Sequence, residues 1–200
     1  MDAMEVVFVI LMGFSLAATC GLRAFLPLLI ISIAAKAGFI SLMPTFDWMM
    51  SWPAIICFGT ATVLEILADK IPAVDHILDS AGVFVRPVAG AVAASSMITG
   101  IDPLLALVIG IVMGATVAGL VQTIKGAFRL LTSAFTGGTA NPLVSIAEDS
   151  AAALTGVVGL IAPYISAAVI LIGILTGMWF VFGRARKRKK QAALNVDPQS

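Results

Sequence analysis

In an otherwise apolar chain, residues 65–90 bring together Glu65, Asp69, Lys70, Asp75, His76, Asp79 and Arg86. A second polar stretch, residues 132–150, holds Asn141, Ser145, Glu148 and Asp149. Charge at membrane depth is costly, so ionisable side chains there face a bundle interior and mark a pathway or a binding site. Glu65 and Asp69 stand four residues apart on one helical face. In a poorly hydrated site two such carboxylates share a proton or bind a cation; at a solvated helix end they would simply pair with Lys70. Arg86, directly before Pro87, either binds an anionic group or pairs with Asp79 or Glu148. Asn141, Ser145, Glu148 and Asp149 read as a polar lining, with Asn141 capping a helix. Glu148 and Asp149 are adjacent and point about 100° apart, so only one is expected to reach the shared cavity.

Other chemistries find little footing. Asp75, His76 and Asp79 form a loose D-H-x-x-D pattern. One histidine in the whole chain is poor support for a transition-metal site, so the metal stays unassigned. The chain has no Gly-x-Ser-x-Gly elbow and no phosphate-cradling loop. Cys20 and Cys57 both lie in apolar runs and make no disulfide framework. We expect no enzyme and no cofactor.

The elements that position these residues are set by composition. Of 200 residues 60% are hydrophobic and 12% charged, about half the charge of a soluble domain. Apolar runs long enough to cross a bilayer recur along the chain. The class is therefore an all-α, polytopic helical membrane protein. Six of the 12 basic residues fall in Arg184–Lys190; the other six face 11 acids, leaving five net negative charges elsewhere. Such a basic stretch after an apolar span predicts a cytoplasmic C-terminus or a contact with anionic lipid headgroups. No basic face suggests nucleic acid.

Residues 1–183 read as one membrane domain, and 184–200 as a basic, disordered tail. A first helix from Met4 either breaks at Gly21–Pro27 and resumes, leaving backbone free to line a site, or merely kinks with Arg23 near an interface. Gly38–Pro53 reads as an interfacial loop anchored by Trp48 and Trp52. A helix from Pro53 to about Lys70, an amphipathic turn at Ala73–Ala81 and a short apolar helix at Pro87–Ile98 follow. Leu104–Val121 is a span, Gln122–Phe135 an amphipathic segment with Lys125 and Arg129 spaced i,i+4, Asn141–Gly159 a short helix, and Pro163–Phe182 the last span. Gly110/Gly114 and Gly173/Gly177 form GxxxG pairs suited to close packing, within the chain or in a homo-oligomer.

Residues 53–100 and 103–156 echo each other, flanked by helices at 4–36 and 163–182. Ala61-Thr62-Val63 recurs as Ala115-Thr116-Val117, and Arg86-Pro87-Val88 is matched by Asn141-Pro142-Leu143. Two internal repeats, inverted, with re-entrant or half helices beginning at the two X-Pro dipeptides, would aim positive helix ends at a shared site.

At these residues the chain resembles a bacterial integral-membrane family catalogued as domain of unknown function 4126. The resemblance runs from Ser15 to Pro163. It is carried by Glu65…Ala68-Asp69-Lys70-Ile71-Pro72…Asp75, by Arg86-Pro87…Gly90, and by Thr136-Gly137-Gly138…Asn141-Pro142…Ser145…Glu148-Asp149. Gly21-Leu22…Ala24…Leu26-Pro27-Leu28 also fits. It implies a fold and a place in the inner (cytoplasmic) membrane, and supplies no activity. The functional expectation is a small permease for a small solute or ion, proton- or cation-coupled, with its site between the repeats. The alternative is a non-transporting protein that binds or flips lipid or organises a partner complex.

Overall fold

The computed structural model describes the backbone of residues 2–69, 72–136 and 141–196, and the side chains of residues 2–69, 80–134 and 143–180. Among these the chain is all-helical: α1 (Ala3–Leu22), α2 (Phe25–Lys36), a 3-10 helix (Pro44–Met50), α3 (Trp52–Ala68), α4 (Pro72–Met97), α5 (Pro103–Thr136), α6 (Asn141–Ile161) and α7 (Pro163–Val196). Helices α1, α5, α6 and α7 are long and apolar enough to cross a membrane, as in a multi-pass membrane protein. The 3-10 helix and α3 meet at a bend of 69° and would add a fifth crossing if they act as one span.

Helix α1 is the centre of the bundle. It packs against α2, α4, α5, α6 and α7, and every residue from Ser15 to Gly21 is buried. Apolar burial gives no drive between helices in lipid, so close approach depends on small residues. A methyl group on Gly21 would run into the Ala118 carbonyl and Val121, and one on Gly13 would lie 3.1 Å from the Ala94 carbonyl. Helices α4 and α5 lie antiparallel, with Gly90 on Gly114 and Ser95 on Gly110 so close that no side chain fits between them. The Gly110/Gly114 pair is thus used within the chain. Of the second pair, Gly177 closes on Ile124, whereas a methyl on Gly173 would meet nothing within 4 Å.

The segment after α2 folds over one end of the bundle. Leu42, Met43 and Met49 are buried, and the Met43 amide donates to the Ser96 carbonyl at 2.9 Å. Trp48 and Trp52 remain exposed. The Lys36 ammonium sits 4.7 Å above the Trp52 ring and donates to the Met50 carbonyl, a cation–aromatic pair suited to a headgroup boundary.

Three expectations change. The amphipathic turn and the apolar helix around Arg86-Pro87 are one continuous helix, α4, with Pro87 inside it. No helix begins at Arg86, so no positive end is aimed from there. Proline is tolerated within membrane helices because neighbouring groups satisfy the backbone it frees. Likewise α5 is one helix of 34 residues instead of a span plus a separate segment. Helix α7 continues through the basic stretch to Val196, where a disordered tail was expected from 184. The two echoing stretches do each form a helix pair, α3–α4 and α5–α6. Their matched dipeptides nonetheless fall in unlike places: Arg86-Pro87 is mid-helix, whereas Asn141 opens α6.

Candidate functional site: a buried charge network at a broken helix

The site is built on the break between α1 and α2. In an unbroken helix the Pro27 ring would strike the carbonyl of residue 23, four positions earlier. The chain instead leaves the helix at Arg23, whose backbone is extended at φ −137°, ψ 120°. Pro27 then occupies the first turn of α2, where its missing N–H costs nothing. The break frees backbone groups in an apolar interior, and two charged side chains take them up. The Glu65 carboxylate accepts the amides of Ala24 (3.0 Å) and Phe25 (3.4 Å). The Lys125 ammonium donates to the Leu22 carbonyl at 3.1 Å. An anion thus stands at the start of α2 and a cation at the end of α1, each matching the local helix dipole.

Arg23 itself points into the bundle and is fully buried. Its guanidinium lies 2.5 Å from Asp69 Oδ2 and 2.6 Å from Asp149 Oδ1, and donates to Ser145 Oγ at 3.1 Å. Asp69 Oδ2 also receives Arg129 at 3.3 Å and the Ser145 hydroxyl at 3.4 Å. Arg129 reaches onward to Glu148 at 3.2 Å, and Glu148 pairs with Lys125 at 3.0 Å. Arg86 is 3.9 Å from Glu65. Among the described residues, four cations (Arg23, Arg86, Lys125, Arg129) and four anions (Glu65, Asp69, Glu148, Asp149) therefore meet, carried by or next to α1, α3, α4, α5 and α6. Pairing is what lets this many charges stay buried. One buried oxygen, Asp69 Oδ1, has no hydrogen-bond partner among the described residues.

Of the ten residues singled out in the sequence, six converge here: Glu65, Asp69, Arg86, Ser145, Glu148 and Asp149. Lys70 lies outside the described residues, as do the side chains of Asp75, Asp79 and Asn141. Glu65 is engaged by backbone amides and Asp69 by arginines. One reading of these six changes. Glu148 and Asp149 both reach the network, since cations bracket α6 from two directions, Arg23 on one side and Lys125 with Arg129 on the other. Arg23, Lys125 and Arg129 were missed. The available signals were a lone arginine four residues before a proline, and an i,i+4 basic pair within an apolar helix.

Two clefts reach the network from the side. Arg86 and Arg129 line a groove of about 860 Å³ between α4 and α5. Lys125 and Glu148 close the end of an otherwise apolar cleft of about 640 Å³ bordered by α1, α5 and α7. Among the described residues no three His, Cys, Asp or Glu side chains group as metal ligands.

Neither a curated protein nor a solved structure matches the chain. The model of one family does, over residues 10–183, and the chain belongs to that family, described as domain of unknown function (DUF4126).

Proposed function

We propose that the protein is a small membrane permease for a small solute or ion, coupled to a proton or cation through the buried charge network. The two helix pairs, as inverted repeats, would alternate access around it. The basic residues Arg184–Lys190 would hold the C-terminus on the cytoplasmic side of the inner membrane. Asp69 carries this reading. Its Oδ2 is shared by Arg23, Arg129 and Ser145, while its buried Oδ1 has no hydrogen-bond partner among the described residues. A proton or small cation at Oδ1 cancels the charge that holds the two arginines together. Among the described residues, Arg23 then keeps Asp149 and Arg129 keeps Glu148, both acids on α6. Occupancy of Asp69 thereby biases how α6 seats against α1 and α5, which is the differential contact a coupled cycle needs. Glu65 serves a different role, stabilising the helix break around which the rearrangement turns.

The test uses purified protein in liposomes, with proton and metal-ion gradients and a panel of small anions and cations. Wild type should give a current or flux that Asp69→Asn lacks, with the variant still helical and monodisperse. Full transport by Asp69→Asn would remove Asp69 from the coupling role.

A further inference from the structure

We infer that the groove between α4 and α5 is a hydrated vestibule: water fills it instead of lipid, and it opens on the membrane face that carries Arg184–Lys190. The inference rests on the membrane class and supplies the access route that the permease reading needs. Its test reads solvent access without transport, so it can fail while that reading stands.

The first argument is the chemistry of the walls. Half of the residues lining the 860 Å³ groove have polar or charged side chains, whereas the adjoining groove of about 380 Å³ has Ser95 alone. Arg86 and Arg129 form part of the wall, and each faces acids of the network. The rest of the polar lining is uncharged. The Thr116 and Thr123 hydroxyls donate to the Val112 and Gly119 carbonyls one turn back, at 2.6 and 2.8 Å. Lipid would tolerate both, and their remaining lone pairs suit water equally well. Gln122 is not settled in this way. Its Oε1 is buried with no hydrogen-bond partner among the described residues, an arrangement that is costly against hydrocarbon. Water is held where a space is roomy and offers each molecule several polar partners. The Gln122 amide and the two threonine hydroxyls supply them.

The second argument is depth and direction. Along the α4–α5 seam Gly82 lies beside Gln122, and Gly90 on Gly114. Helix α1 fixes the level: Gly21, at its end, touches Ala118 and Val121, whereas Gly13, near its middle, touches Ala94. The groove therefore begins past the end of α1, where Ser80 and Ser133 line it, and stops at Ala115 and Thr116, part-way to the membrane centre. Helix α7 starts beside the start of α1, where the Tyr164 ring meets Phe8, and further on its Gly177 closes on Ile124. It thus runs in the same direction as α1 and α5, and its continuation to Val196 leaves the bundle at the open end of the groove. The mouth of the vestibule and the basic stretch share one face. Water entering there reaches Arg129, which is bonded to Asp69.

The experiment is cysteine accessibility in sealed vesicles, using a charged, membrane-impermeant thiol reagent and reading each modified position by peptide mass spectrometry. Thr116→Cys and Gly126→Cys report from the inner and outer parts of the groove; a side chain at 126 meets nothing within 4 Å. Ile172→Cys is the control. Ile172 is exposed and outside the grooves and cleft described above. Lying five residues before Gly177, it stands near the level of Gly119 and is shallower than Thr116. Only a thiolate reacts, and apolar surroundings keep a thiol protonated, so Thr116→Cys should react at least about tenfold faster than Ile172→Cys. Both groove cysteines should react only in vesicles whose C-terminal tag is open to protease. Reaction at Thr116→Cys no faster than at Ile172→Cys, with both fully modified after denaturation, would overturn the inference. So would reaction of either groove cysteine from the opposite face.

Discussion

Arg23 is the side chain on which the most buried charge depends. It is the one described cation near Asp149, and it shares Asp69 with Arg129. Replacing it by Gln should cost about 3–5 kcal/mol, because the acids left behind are buried and cannot recover water. Arg23→Lys should restore part of that loss, keeping the charge but not the fork that spans two carboxylates. Denaturant titration in detergent would measure both. Glu65 tests a different interaction. Glu65→Ala leaves the Ala24 and Phe25 amides unsatisfied and should cost about 2 kcal/mol, while Glu65→Gln, which keeps one acceptor, should lose about half as much. The acids were legible in the sequence because a carboxylate in an apolar run has few reasons to be there. Their partners were not. Arg23 and Ser145 are 122 positions apart, and no local spacing encodes that pairing. Each missed cation also had an ordinary local reading, as an interface residue or as part of an amphipathic helix face.

At the scale of the element, the two GxxxG pairs look alike in sequence and differ in use. Gly114→Ala would force a methyl group into the Gly90 backbone and should cost about 1–3 kcal/mol. Gly173→Ala faces open space and should be neutral or gain up to about 1 kcal/mol from helix propensity. A thermal-melt comparison of the two variants separates these outcomes. The spans were readable from long apolar runs, and the break at Gly21–Pro27 was one of two readings, beside a kink, that a proline four residues after Arg23 allows. The continuity of α4 was not. Pro87 beside a charged residue looks like a helix start, and only packing against α5, where Gly119 lies next to the Pro87 ring, makes room for it mid-helix. The same holds for α5, whose polar second half becomes part of one long helix because its charges find buried partners.

For the whole molecule, composition alone carried the membrane class, while the echo between the halves resolves into two helix pairs whose matched residues do not superpose in role. The proposed orientation assigns Arg184–Lys190 to the cytoplasmic side. Changing all six basic residues there to Gln should leave the fold intact and give a mixed or inverted topology, read by protease protection of a C-terminal tag in sealed vesicles. The buried network also constrains how the chain is made. Placed alone at the centre of a membrane segment, each Lys, Arg or Asp costs about 2.5–3.5 kcal/mol. Helix α5 carries Lys125 and Arg129, and α6 carries their partner Glu148 together with Asp149. Lys125 lacks Glu148 until α6 arrives, so α5 and α6 are expected to enter together as a hairpin. The earlier segments meet the same constraint: Asp69 emerges with Arg23 already made, but Arg129 is still to come. A ribosome stalled after α5 would thus leave Lys125 without Glu148 and Arg23 without Asp149, and quality-control proteases would meet the chain as a half-inserted substrate.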